Sequence, residues 1–177
     1  MGSAIRLAIG LAALCFSAGC GSTRPAIQAE MAPDILLKGA ERVAVLPFRI
    51  VGYSDGDIPD VVGRTAQLVE IAVMREGFPV VLQASFADIL RNLRYTPAIT
   101  ADVPSARILA EMTGADLVIE GSAETVRVGV LNTFRQTLYA IDPKAGRVIL
   151  TVTGEGDSQT YLNCARELAQ KLRKAVP

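Results

Sequence analysis

The run Val43-Ala44-Val45-Leu46-Pro47-Phe48 is apolar at every position and shows no alternation. A strand of that kind has no side to turn toward water, so other elements must cover both of its faces. In a chain of 177 residues this points to a layered domain, a central sheet with helices packed on it. Pro47 cannot donate to a sheet ladder and marks the end of the strand.

The segments that follow supply the layers. After a loop at Gly52-Tyr53-Ser54-Asp55-Gly56-Asp57, Pro59 suits the first position of a helix. Val62, Ala66, Val69 and Val73 put one apolar stripe along that helix, and Gly77 stops it. Phe78 to Leu82 reads as a second strand. Ser85 and Asp88 have capping-box spacing and open a short helix with Phe86, Ile89, Leu90 and Leu93 inward. Pro97 and Pro104 bracket an irregular segment, and residues 105–113 form a helix carrying Ile108, Leu109 and Met112, stopped by Gly114. A third strand starts at Asp116 and runs to Gly121; Thr125 to Val130 alternates, so one face is wet. A turn near Asn132 leads into a strand through Ile141, and the turn Asp142-Pro143-Lys144-Ala145-Gly146 returns the chain as a hairpin through Thr153. Asp157 or Ser158 caps a last helix with Tyr161, Ala165, Leu168 and Leu172 on one face. The reading is an α/β (α+β) single domain, a mixed sheet of about five strands packed by about four helices.

Ahead of this domain stand Arg6, an apolar run from Leu7 to Phe16, and the small residues Ser17, Ala18 and Gly19 before Cys20. A positive start, a short apolar core and a small-residue exit read as an export signal, and the run is shorter than a membrane span. Ser17-Ala18-Gly19-Cys20 resembles a bacterial lipobox, with Ser17 where Leu is usual. That resemblance implies lipidation at Cys20, and Gly21, in place of a retaining Asp, implies the outer membrane. The expected division is 1–19 signal peptide, 20–41 lipidated N-terminus and tether, and 42–177 the α/β domain. Pro25, Pro33 and Gly39 break regular structure in the tether, with Ile35-Leu36-Leu37 free to dock.

Composition narrows the chemistry. There is no His, so no His-based nucleophile, base or metal ligand exists. Lys+Arg and Asp+Glu both count 18, which gives no electrostatic case for nucleic acid. With Cys15 in the signal and Cys20 acylated, Cys164 stands alone and reads as a small buried helix residue. Phosphate-loop and Ser-Lys motifs are missing, so no cofactor is expected. Glu111, Asp116, Glu120 and Glu124 are the acids open to a carboxylate-pair hydrolase. Asp55, Asp57 and Asp60 share one loop that reads as a helix start, with Ca²⁺ as the alternative and no metal site assigned. The basic outer side of the last helix, Arg166, Lys171, Arg173 and Lys174, reads as a solvated face. The wet face of 125–153 carries Arg127, Thr133, Arg135, Gln136, Thr137 and Tyr139. Arg127, Arg135 and Tyr139 are the candidate partner-binding residues, since Arg and Tyr anchor interfaces, and an exposed strand edge is a further place for a partner.

Four segments taken in order, Arg42–Phe48, Gly77–Leu82, Thr113–Ser122 and Ile141–Ile149, resemble the periplasmic α/β domain shared by the curli secretion lipoprotein CsgG, the TolB N-terminal domain and the penicillin-binding-protein activator LpoB. The resemblance spans residues 42–154 and implies a non-catalytic domain that binds other envelope proteins. It carries no catalytic residue over to this chain. The expected function is an outer-membrane-anchored periplasmic adaptor or assembly factor, bound to the membrane by lipid, with an envelope protein as partner and homo-oligomerisation open to it. Alternatives are an LpoB-like activator, a subunit of a CsgG-like pore and an envelope hydrolase. The pore is disfavoured because a membrane-spanning strand needs about 9–11 residues, more than the arms 125–130 and 134–141 supply.

Overall fold

The structure, a computed structural model, describes residues 25–52, 64–128 and 131–177, without the side chains of 127, 128, 131 and 132. The expected signal segment, Cys20, and the loop with Asp55, Asp57 and Asp60 lie outside the described residues.

Seven strands and four helices make up the described chain: β1 (Ala26–Met31), β2 (Val43–Val45), β3 (Arg49–Val51), α1 (Thr65–Arg75), β4 (Val80–Val81), α2 (Gln83–Asn92), α3 (Val103–Thr113), β5 (Leu117–Val128), β6 (Leu131–Asp142), β7 (Arg147–Gly156) and α4 (Thr160–Lys174). The strands form one mixed sheet in the order β1-β7-β6-β5-β2-β4, with β3 also beside β5. β2 runs parallel to β4 and β5, and β3 runs parallel to β5; the remaining pairs are antiparallel. β2 and β3 line the same side of β5 on either side of Pro47, whose missing N–H interrupts the ladder.

The apolar run that opened the sequence reading lies in the middle of the sheet. Val43, Ala44, Val45 and Leu46 are all fully buried. Val43 and Val45 face a core built with α1 and α4, whereas Ala44 and Leu46 face one built with α2 and α3. Continuous hydrophobicity thus reports the two-sided cover. On α4, Tyr161, Ala165, Leu168 and Leu172 are buried together.

Several expectations need correction. Residues 26–31, read as tether, form the edge strand β1, paired from Ala26↔Glu155 to Met31↔Leu150. Farther along the tether Leu37 docks, with its N–H on the Ala175 carbonyl at 2.9 Å, while Leu36 stays 80% exposed. The second strand shrinks from 78–82 to Val80–Val81. The capping box does not form: α2 starts two residues before Ser85, whose hydroxyl donates to the Leu82 carbonyl at 2.6 Å. Leu93, read as inward, is exposed, as are Ile108 and Met112 on α3. The cap of α4 is Gln159, and Asp157 Oδ1 accepts the Gln159 N–H at 2.8 Å.

Asn132, expected near a turn, instead lies in β6 paired with Arg127, and β5 and β6 are 12 residues each. The arms are thus longer than the expected 125–130 and 134–141, and shortness does not set them apart from membrane-spanning strands. β3 accompanies β5 only to Glu124 and β7 accompanies β6 only from Phe134, so among the described residues 125–128 and 131–133 pair only with each other.

Candidate functional site

Strand alternation divides the sheet into two faces. One is filled by α1 and α4 along its length. On the other, α2 and α3 cover only the end holding Ala44, Leu46, Val118 and Ile141. Among the described residues the rest of that second face has no helix on it and presents Gln28, Glu30, Ser122, Glu124, Arg135, Thr137, Thr151, Thr153 and Glu155 as alternate residues of four adjoining strands. Thr is suited to such positions because its branched side chain fits a pleated surface and its hydroxyl stays wet.

Arg135 occupies the middle of this face. It is directly opposite Glu124 on one side and Glu155 on the other. Its Nε donates to Glu155 Oε2 at 2.9 Å and its Nη2 to Glu155 Oε1 at 3.3 Å, with Glu124 Oε2 at 4.0 Å from Nη1. The side chain remains 51% exposed. The geometry is a bidentate carboxylate clamp that holds the guanidinium between its two neighbouring strands while leaving half of it exposed.

The other expected partner residues fall differently. Tyr139 is half-buried against the α2–α3 core, opposite Glu120. Thr133 and Thr137 are on the open face and half-buried. Gln136, read as wet, is instead fully buried under α4, because period-two alternation turns it to the opposite side from Arg135 and Thr137. The Arg127 backbone pairs with Asn132, and its side chain lies outside the described part.

Of the acids open to a carboxylate-pair mechanism, Glu111 and Asp116 share the lining of one cavity, while Glu120 and Glu124 lie apart from it. Glu120 is only 4% exposed; burial pushes its carboxyl up to about 7, despite an Asp102 N–H donated to its Oε2 at 2.8 Å. Asp102 is engaged as the cap of α3, accepting the Ser105 N–H at 3.2 Å and the Ser105 hydroxyl at 2.6 Å. Glu111 and Asp116 line a cavity of about 490 Å³ with Arg107 and Lys144. There the Lys144 ammonium, hydrogen-bonded to Asp116 Oδ1 at 2.7 Å, holds the Asp116 carboxyl below its usual range. Glu124 belongs to the Arg135 clamp. Among the described residues no group of three or more His, Cys, Asp or Glu is placed to hold a metal, and no helix is long and apolar enough to cross a membrane.

The four segments behind the family resemblance meet in the fold. Arg42 and Lys144 both bond Asp116, and the Val43 N–H reaches the Pro79 carbonyl at 2.8 Å. Gly114 ends α3 in the left-handed conformation at φ 68°, and a Cβ there would come within 3.0 Å of the Arg42 guanidinium. These segments knot the central strands together, apart from the open face.

No family model and no curated protein matches the sequence. Among solved structures the chain is similar to the PelC dodecamer from Paraburkholderia phytofirmans, with 19% identity over 86% of this chain and 97% of that one, at a TM-score of 0.52. It is similar to lipoprotein GNA1162 from Neisseria meningitidis, with 15% identity over 76% and 94% of the two chains, at 0.51. It is also similar to LpoB of E. coli, with 16% identity over 67% of this chain and 57% of that one, at 0.51. These likenesses establish a shared fold. The LpoB part of the resemblance holds at that level, and its CsgG and TolB parts have weaker support.

Proposed function

We propose that this chain is a lipid-anchored periplasmic protein of the outer membrane that works without catalysis, holding a component of a cell-envelope machine against the open face of its sheet. The observation that carries this reading is the uncovered polar face with Arg135 clamped at its centre. A guanidinium held in place but half exposed is a pre-ordered anchor for a partner's carboxylate or carbonyl groups, with little side-chain freedom left to lose on binding. The sealing of Glu120 and the use of Asp102 as a helix cap support a non-catalytic role. GNA1162, itself a lipoprotein, supports an anchor at Cys20, and the dodecameric PelC structure supports self-association as a property open to this fold.

The edge strand refines the geometry of anchoring. With β1 starting at Ala26, the leash from Cys20 to Pro25 is five residues, 25 − 20, and reaches about 18 Å at most. The partner is then one that comes close to the bilayer. Anchoring concentrates the domain in a thin layer where such a partner is met repeatedly.

The test is photo-crosslinking in cells from a residue replaced at Arg135, Thr137 or Thr153, with mass spectrometry of the captured protein. The expected result is one envelope protein captured from all three positions and none from Met74 on α1. Capture of no envelope protein from the open face overturns the reading.

A further inference from the structure

The strand that the sequence reading missed leaves an edge with unusual properties. β1 pairs with β7 on one side and, among the described residues, with no strand on the other. The Ala32 N–H donates to the Ile149 carbonyl at 2.9 Å. Backbone groups along a strand turn to alternate sides, so Ala26, Gln28 and Glu30 bond toward β7, and Ile27, Ala29 and Met31 present their N–H and C=O outward. Edges are normally guarded by Lys, Pro, a bulge or an inward charge. These six residues contain no Lys, Arg or Pro, and their pairing with β7 is unbroken. Prolines stand at 25 and 33 instead, the next two outward positions, where the missing N–H ends the row at both ends.

The sequence of this edge reads nearly the same in both directions about Ala29. Moving outward from that residue, Gln28 matches Glu30, Ile27 matches Met31, Ala26 matches Ala32, and Pro25 matches Pro33. An antiparallel second copy with Ala29 on the two-fold axis uses this symmetry completely. Ala29 meets its counterpart and Ile27 meets Met31 on both sides, each pair exchanging two N–H···O bonds. Gln28 and Glu30 fall opposite each other at the positions where side chains come closest, so each carboxylate receives an amide donor and no like charges face. Centring on Gln28 would set Met31 against Pro25, which has no N–H to give. Centring on Glu30 would oppose two carboxylates. Only one in-phase register suits the strand, and it is the symmetric one. We propose that two copies of this chain join through β1, antiparallel and centred on Ala29, to make one continuous sheet across a dimer.

The full chain in mild detergent is the material for the test, with sedimentation velocity as the readout. The chain is expected to sediment as a dimer. Ala29→Pro removes only an outward N–H and leaves the β7 ladder whole, so it should weaken the dimer roughly 30-fold with an unchanged circular dichroism spectrum. Gln28→Glu, a surface change that does not threaten folding, should weaken it by opposing carboxylates, and adding Glu30→Gln should restore it. Ala29→Cys should form a disulfide-linked dimer on oxidation, since the paired Cα atoms would be about 5.5 Å apart, within disulfide range. The proposal is overturned by a monomeric parent chain, by an oligomer whose size ignores Gln28→Glu and its rescue, or by failure of Ala29→Cys to crosslink.

Discussion

Arg42 and Asp116 hold each other twice: the Asp116 N–H donates to the Arg42 carbonyl at 2.7 Å, and the Arg42 N–H donates to Asp116 Oδ2 at 3.1 Å. Lys144 adds a third contact from the β6–β7 turn. Asp116→Ala should therefore lower the unfolding free energy by about 1–3 kcal/mol, since it strips an acceptor from a backbone N–H between two central strands. Lys144→Ala should cost less than about 1 kcal/mol, because its side chain is exposed. Urea titration compares the two, and equal losses would contradict this ranking.

Stability should decline between pH 4.5 and pH 7 because of Glu120. Its carboxyl is raised by burial to about 7 in the fold, against 4.5 ordinarily, with Asp102 the neighbouring charge. A raised acid favours the protonated fold, so the contribution is complete below pH 4.5 and is lost as pH rises through 7. The loss is on the order of 3 kcal/mol. Glu120→Gln should flatten this part of the profile and make the chain the more stable form at pH 8, as read by thermal melts across pH.

Gly154 has no space for a side chain. A Cβ there would overlap Cys164 Sγ and come within 2.6 Å of Ile27 Cδ1. Gly154→Ala should cost about 1–3 kcal/mol by overpacking. Adding Cys164→Ala should recover part of that loss in urea titration, and an additive outcome would remove the contact as the cause.

Cys164 should resist thiol reagents in the folded chain. It is fully buried and its thiol is pushed up to about 12 by that burial, with Glu167 adding to the shift. The thiolate is the reactive form, so modification should track unfolding in denaturant. Rapid labelling under native conditions would show that α4 opens locally.

If the proposed lipid at Cys20 holds the protein to the membrane, Cys20→Ala should move it from the membrane fraction to the supernatant after fractionation. Persistent sedimentation with membranes would remove the lipid anchor from the proposed function.

The parts of the fold legible in the sequence were those with a strong local period. Val43 to Leu46 announced two-sided burial, and the stripe from Tyr161 to Leu172 announced α4, because each pattern is complete within its own segment. β1 was not legible: its alternation is weak, prolines flank it, and its partner β7 lies about 120 residues away, so only the finished sheet makes it a strand. The capping spacing of Ser85 and Asp88 lost to a helix already begun by Gln83. Of the candidate site, the alternation from Thr125 gave the wrong parity: Thr125 pairs with buried Phe134 on the α4 side, and the open face carries Glu124 and Arg135 instead. Gln136 looks polar enough for water, and only the register with Ala123 and Gly154 reveals that it points inward.

The pairing of β1 with β7 also imposes an order of events on a chain that emerges from its N-terminus. Ala26 to Met31 leave the exit channel early and then wait for Leu150 to Glu155 before they can be placed. During that interval a strand whose one charge is Glu30 travels unpaired, and it stays open to other edges until the chain has extended about 120 residues farther.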